Sequence, residues 1–155
     1  MVRAGYRAVG VDTSSEALAR FEERAIGVAH SIAADARALP FRAGAFPLVF
    51  CGTALSCVPK GDIPTAIAQA VRCLSPGGRF LYYDFSSLDP GASSKQAAGV
   101  SECAEITTTY LEVREAVAML SGLIIERVLE IVKEDRSHGP AHKHSLFAIL
   151  ARKGA

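Results

Sequence analysis

No sign of charge dominates this chain. Seventeen Lys and Arg stand against sixteen Asp and Glu for a net of +1, and the basic residues are scattered rather than gathered. That excludes the electrostatic footprint of a nucleic-acid or anionic-membrane binder. Long apolar runs are also lacking. The longest, residues 45–55, is broken by Pro47, Gly52 and Thr53, so no membrane span is expected. The first residues show no charged-then-apolar leader, which makes a cytoplasmic location the expectation. Cysteine is sparse, and Cys51, Cys57, Cys73 and Cys103 show no CxxC spacing, which suits reduced thiols better than disulfides or a metal site. Repeats and low-complexity tracts are absent. One further absence concerns chemistry. Only Met1 to Ala4 precede the first strand-like segment, so the Gly-rich turn that cradles phosphates in nucleotide-binding α/β units does not stand before it.

The chain has 155 residues, half of them hydrophobic, enough for one domain with a real core over 1–155. Gly5 to Asp12 reads as a buried strand ending in an acid. Thr13-Ser14-Ser15-Glu16 follows as a capping box for a helix carrying Ala17, Leu18, Phe21 and Ala25 on one face. Ser31 to Ala34 is a second strand ending in an acid, Asp35, and Pro40 keeps Leu39 extended. Phe46 to Cys51 is continuously apolar, as when both faces of a sheet are covered. Asp62 is the expected N-cap of a helix whose stripe is Ile63, Ala66, Ile67, Ala70, Val71 and Leu74, with Pro64 in its first turn. Ser75-Pro76-Gly77-Gly78 stops it and Arg79 to Asp84 resumes as a strand. Ser86 to Gln96 is a loop long enough to act as a functional cover. Ala97 to Thr108 reads only weakly as partly helical. Thr109 and Glu112 form a capping box for a helix through Leu120, stopped by Gly122. Leu123 to Lys133 and His144 to Arg152 are strands joined by the turn Glu134 to Lys143. The alternation predicts an α/β fold with a mostly parallel sheet and an antiparallel C-terminal edge.

Four segments carry a resemblance. Val9-Gly10-Val11-Asp12-Thr13-Ser14, Ala34 to Phe41, Phe46 to Phe50 and Val71 to Gly78 stand in the order and spacing of the class I S-adenosylmethionine-dependent methyltransferases. The likeness is closest to the small-molecule branch with its Leu-Pro-Phe and Arg-x-Leu-x-Pro-Gly-Gly segments. The resemblance implies a Rossmann-like sheet and S-adenosyl-L-methionine as cofactor. Asp12, with Thr13 beside it, would hold the ribose hydroxyls, Asp35 and the N–H of Ala36 would read the adenine edge, and Cys51 and Gly52 would border the methionine part. Asp84, ending a parallel strand, is a candidate for the substrate side. The family's first strand, glycine-rich loop and following helix are not in this sequence, and Pro47 stands where the family usually has an acid. The resemblance therefore implies a truncated domain, impaired in cofactor binding, that acts on an unidentified small molecule.

Two other readings compete: a non-catalytic methyltransferase-like binding domain and, with less support, a nicotinamide-binding fragment, against which Asp35 to Phe41 argues. In the family the absent strand lies between the strands ending at Asp12 and Cys51. Their open edges invite a homodimer. His138-Gly139-Pro140-Ala141-His142-Lys143-His144 suggests a metal or general-base site. Its expected place in a turn, far from the cofactor, argues instead for ordinary turn chemistry.

Overall fold

The computed structural model describes residues 7–25, 29–93, 108–136 and 141–155. They fall into two compact units, residues 1–41 and 42–155. In the first, β1 (Ala8–Asp12), α1 (Ser15–Ala25) and β2 (Ala29–Ala33) form a two-stranded parallel sheet, in register from Ala8 opposite Ala29 to Asp12 opposite Ala33. Parallel pairing requires a crossover, which α1 supplies. Its cap differs from the expected box: Ser14 Oγ accepts the Ala17 N–H at 3.2 Å. With Ser14 as the cap, the third helical position is Ala17, which has no side chain to reach back, and Glu16 pairs instead with Arg20. Gly10 lets α1 approach β1, since a Cβ there would lie 2.7 Å from the Phe21 ring. Leu18 is the unit's one buried apolar side chain among the described residues. Asp35 caps a 3-10 turn over Ala36–Ala38, and Leu39 leaves it extended (φ −65, ψ 126) as Pro40 requires.

The second unit contains β3 (Phe46–Gly52), α2 (Ile63–Cys73), β4 (Leu74–Phe85), α3 (Pro90–Ser93), α4 (Val113–Met119), β5 (Ile124–Asp135) and β6 (His142–Arg152). The sheet order is β3-β4-β6-β5, with β3 parallel to β4 and β6 antiparallel to both its neighbours. The antiparallel C-terminal pair is as the sequence implies, although both strands run further into the expected turn. Of the expected α2 stripe, Ile63, Ala66, Ile67 and Ala70 are buried and Val71 is half-buried, while Leu74, also buried, begins β4.

Four local expectations are overturned. Asp62 sits at the α2 N-cap but makes no capping hydrogen bond, because a 3-10 turn over Lys60–Asp62 holds it in helical geometry. The box before α4 is Glu112 with Glu115, not Thr109 with Glu112. Thr109 is occupied elsewhere, its N–H on Ser56 O and its hydroxyl on Val58 O. Nor is β3 covered on both faces, for Leu48 and Phe50 are 37 % and 48 % exposed. The helix α2 ends at Cys73 and β4 begins at Leu74, ahead of the expected stop at Ser75 to Gly78; within β4, Gly77 has φ +71, and at Gly78 a Cβ would lie 2.9 Å from Ser75 O and 3.1 Å from Pro47 O. Both positions suit glycine alone. The weakly helical stretch 97–107, Cys103 and His138 lie outside the described residues.

Candidate functional site

In the first unit, both strand-ending acids leave the carboxyl end of the parallel pair. Asp12 is exposed and its Oδ1 accepts the Ser14 N–H at 2.9 Å; Thr13, beside it, is also exposed. Asp35 Oδ1 accepts the Arg37 N–H at 2.8 Å, and the Arg37 guanidinium spans both carboxylate oxygens at 2.6–3.0 Å. These bonds hold the Asp35 carboxyl down at about 2. Ala36 opens the 3-10 turn, so its N–H has no acceptor within that turn.

In the second unit, the carboxyl ends of β3 and β4 gather Cys51, Gly52 and Asp84. Asp84 is 2 % exposed. Its Oδ2 accepts the Ser56 N–H at 3.0 Å and its Oδ1 that of Phe85 at 2.9 Å. Burial raises its carboxyl above the ordinary 3.8, partly offset by these donors. The Tyr82 hydroxyl, wholly enclosed and facing that carboxylate, has no hydrogen-bond partner of regular geometry. Burial, then the Asp84 charge, push the Cys51 thiol up to about 12, so Cys51 packs here as a neutral thiol rather than a nucleophile. Cys57 is exposed and Cys73 buried, both free thiols. Thr53, next after β3, has φ +50, a strained geometry for a β-branched residue and one that concentrates at functional sites.

A raised carboxylate value ties stability to pH. The native fold binds the Asp84 proton more tightly than the unfolded chain, so this stabilisation is complete below about 3.8 and is lost as pH rises through the higher native value. Urea midpoints of the wild type should therefore fall relative to Asp84→Asn as pH is raised from acid to neutral. A midpoint difference that stays constant over that range would contradict it.

A third group involves histidines that the sequence reads as turn chemistry. His142 and His144 do not lie in the expected turn: they begin β6, beside the carboxyl end of β4, where Ser86 N–H donates to Ser145 O at 2.9 Å. His144 Nδ1 stands 3.0 Å from Asp89 Oδ2, and His142 Nε2 3.0 Å from His144 Nε2. Asp89, 2 % exposed, also accepts the Ser145 N–H at 2.8 Å on Oδ2 and the Gly91 N–H at 2.8 Å on Oδ1. The legible signal was Asp89-Pro90, a capping acid followed by the proline favoured at a first helical position. Among the described residues no cluster of three or more His, Cys, Asp or Glu could hold a metal ion.

A Rossmann-like arrangement of parallel strands with acids at their carboxyl ends, completed by an antiparallel pair, defines the class I methyltransferase fold. The chain belongs to the methyltransferase domain family, whose model matches residues 1–78. The ubiquinone/menaquinone biosynthesis C-methyltransferase UbiE of Methylobacterium nodulans is 40% identical over 73 residues, which are 46% of this chain and 28% of that protein. The chain thus spans little more than a quarter of that relative. A SAM-dependent methyltransferase of Methanosarcina mazei superposes at TM-score 0.76 with 20% identity, over 99% of this chain and 84% of its own. The [4+2]-cyclase SpnF superposes at TM-score 0.74 with 16% identity, over 99% and 70%. At such identities these two show the fold alone.

Proposed function

We propose that this chain is an S-adenosylmethionine-dependent methyltransferase domain acting on a small molecule. The observation that carries this is the pair of strand-ending acids in residues 1–41. The donor set suits an adenosine: Asp12 offers a carboxylate to a vicinal diol, Ala36 an unspent N–H to a ring nitrogen, and Asp35 an acceptor to an amino group. Asp35 stays ionised at every physiological pH, so it can only accept. Cys51 and Gly52, at the carboxyl end of β3 in the second unit, are small and uncharged. When bound, the cofactor supplies an activated sulfonium methyl group, and the protein's task is alignment and exclusion of water. Asp84 would shape the acceptor side rather than act as a base, since both its oxygens already accept backbone N–H groups.

Without a glycine-rich loop in these 155 residues, cofactor affinity is expected in the millimolar range, because many contacts to the methionine end would be missing. Titration with S-adenosylhomocysteine, followed by amide protection in residues 8–38, tests the proposal. Protection should appear in the wild type, and Asp12→Ala should weaken it by about tenfold or more, since hydrogen bonds to a charged group contribute about 1.5–3 kcal/mol. Protection unchanged by Asp12→Ala would refute the assignment. No protection in the wild type would favour a non-catalytic binding domain, a reading supported by the grip of Arg37 on Asp35.

A further inference from the structure

The outer edge of β5 belongs to no part of the candidate site. Among the described residues β5 ends the four-stranded sheet, with β6 on one side and no strand on the other. It is 12 residues long and holds no proline, so neither shortness nor a missing N–H keeps a further strand from adding to it. The sheet's other end differs, since β3 carries Pro47. Apolar side chains stand exposed on both faces of β5. Leu129 (48 %) lies on one, with Ile131 half-buried beside it, and Val128 (39 %) and Val132 (70 %) lie on the other.

The charges of β5 select the strand that fits this edge. In an antiparallel pairing of β5 with its own copy about a twofold axis normal to the sheet, each residue stands opposite one an even number of positions away, so that both project on the same face. Centred on Ile131, the pairing sets Arg127 opposite Asp135, Val128 opposite Glu134, Leu129 opposite Lys133 and Glu130 opposite Val132 of the other copy. No like charges face each other, and symmetry forms the Arg127 and Asp135 ion pair twice. Lys133 already lies 3.8 Å from Asp135, so that carboxylate would stand between two cations. Centred on Glu130, the pairing would oppose Arg127 to Lys133 and Glu126 to Glu134; centred on Val132, it would oppose Glu130 to Glu134. Centring on Leu129 would draw in the register irregularity between Ile125 and Arg127. In the Ile131 register that irregularity falls just outside residues 127–135, and apolar side chains meet at the middle of both faces. Ile131 opposes its own copy with Leu129 diagonal to it, and on the other face Val132 stands diagonal to Val128 and to its own copy.

We propose that β5 is the docking edge of a homodimer, in which two copies of the four-stranded sheet join antiparallel through residues 127–135 with Ile131 at the twofold axis. The occupant of the edge is a second copy of this chain. The contact thus lies at the C-terminal end of the sheet rather than at the edges of β1 and β3, and it is independent of the methyltransferase reading.

Light scattering after size exclusion, on the whole chain over a concentration series, should show the mass rise from one chain to two. Arg127→Asp and Asp135→Arg each bring like charges together at two symmetric places, and each should raise the dissociation constant by about tenfold or more. Combining them restores opposite charges and should bring the constant back to within about threefold of the wild type. That rescue separates a lost contact from a lost fold, and circular dichroism checks each variant. Amide exchange below and above the dissociation constant should show protection gained in residues 127–135 and unchanged in residues 46–52. The proposal would be overturned by a mass that stays at one chain throughout, by a double variant as weak as the single ones, or by protection gained in residues 46–52 instead.

Discussion

Amide exchange is expected to reach β1 and β2 on the order of a thousand times sooner than β4 and β6. The reason is the distribution of burial. Residues 1–41 bury one apolar side chain among those described, Leu18, while Ile63, Ile67, Leu74, Phe80, Tyr82, Leu111, Leu120, Leu146, Phe147 and Ile149 lie in the second unit's core. A two-stranded sheet with one helix has little with which to oppose chain entropy. Its hydrogen bonds should open locally long before the four-stranded sheet does. Exchange measured by mass spectrometry on peptides from each strand checks this, and equal protection across the two units would contradict it. The same difference makes residues 8–38 the sensitive reporter for an adenosine ligand, because binding adds most visibly where intrinsic stability is least.

Phe147→Ala should cost about 3–5 kcal/mol. Phe147 is fully buried on β6, the strand that joins β4 to β5, and stands opposite Asp84 in register. Its ring meets Tyr82 edge to face at a centroid distance of 5.1 Å. Deleting it removes the apolar contact and opens a cavity that two hydrogen-bonded neighbouring strands cannot collapse to fill. Against a typical total of about 5–15 kcal/mol, the loss would lower Tm by roughly ten degrees or more. Val132→Ala, at a position 70 % exposed on β5, should change stability by less than about 0.5 kcal/mol. Urea unfolding followed by the tyrosine signal compares them. A Phe147→Ala midpoint within error of the wild type would mean that the core lies elsewhere.

What could be read in the sequence depended on whether the signal was local. The β1, α1 and β2 alternation, the α2 stripe and the extended Leu39 before Pro40 follow from periodicity and backbone sterics within a few residues. The caps were misplaced by a residue or by a turn, since Ser14 competes with Thr13 and Glu115 with Glu112 for similar N–H groups, and only the final geometry chooses. The exposure of Leu48 and Phe50 was illegible because an apolar run indicates what a strand could bury, not what covers it. The meeting of Asp89 with His144 was hidden for a different reason. The two lie 55 residues apart, and only the antiparallel register of β4 and β6 brings them together. Asp12 and Asp35 were visible because each ends its own strand, whereas the grip of Arg37 on Asp35 is a side-chain conformation that no pattern announces.

Lys153 donates through Nζ to Val71 O and Leu74 O, both at 2.9 Å, and its backbone N–H reaches Gly78 O at 2.9 Å. A lysine thus binds a carbonyl in the last turn of α2 from 82 positions away, and that of Leu74, where β4 begins, from 79. The consequence is kinetic. The Val71 carbonyl also accepts the Leu74 N–H locally, but the lysine's bonds form only once the chain following β6 has docked, and loop closure over that separation must come first. Helix and sheet in this unit should therefore appear in one concerted, comparatively slow step, as expected where remote pairings dominate over neighbouring ones.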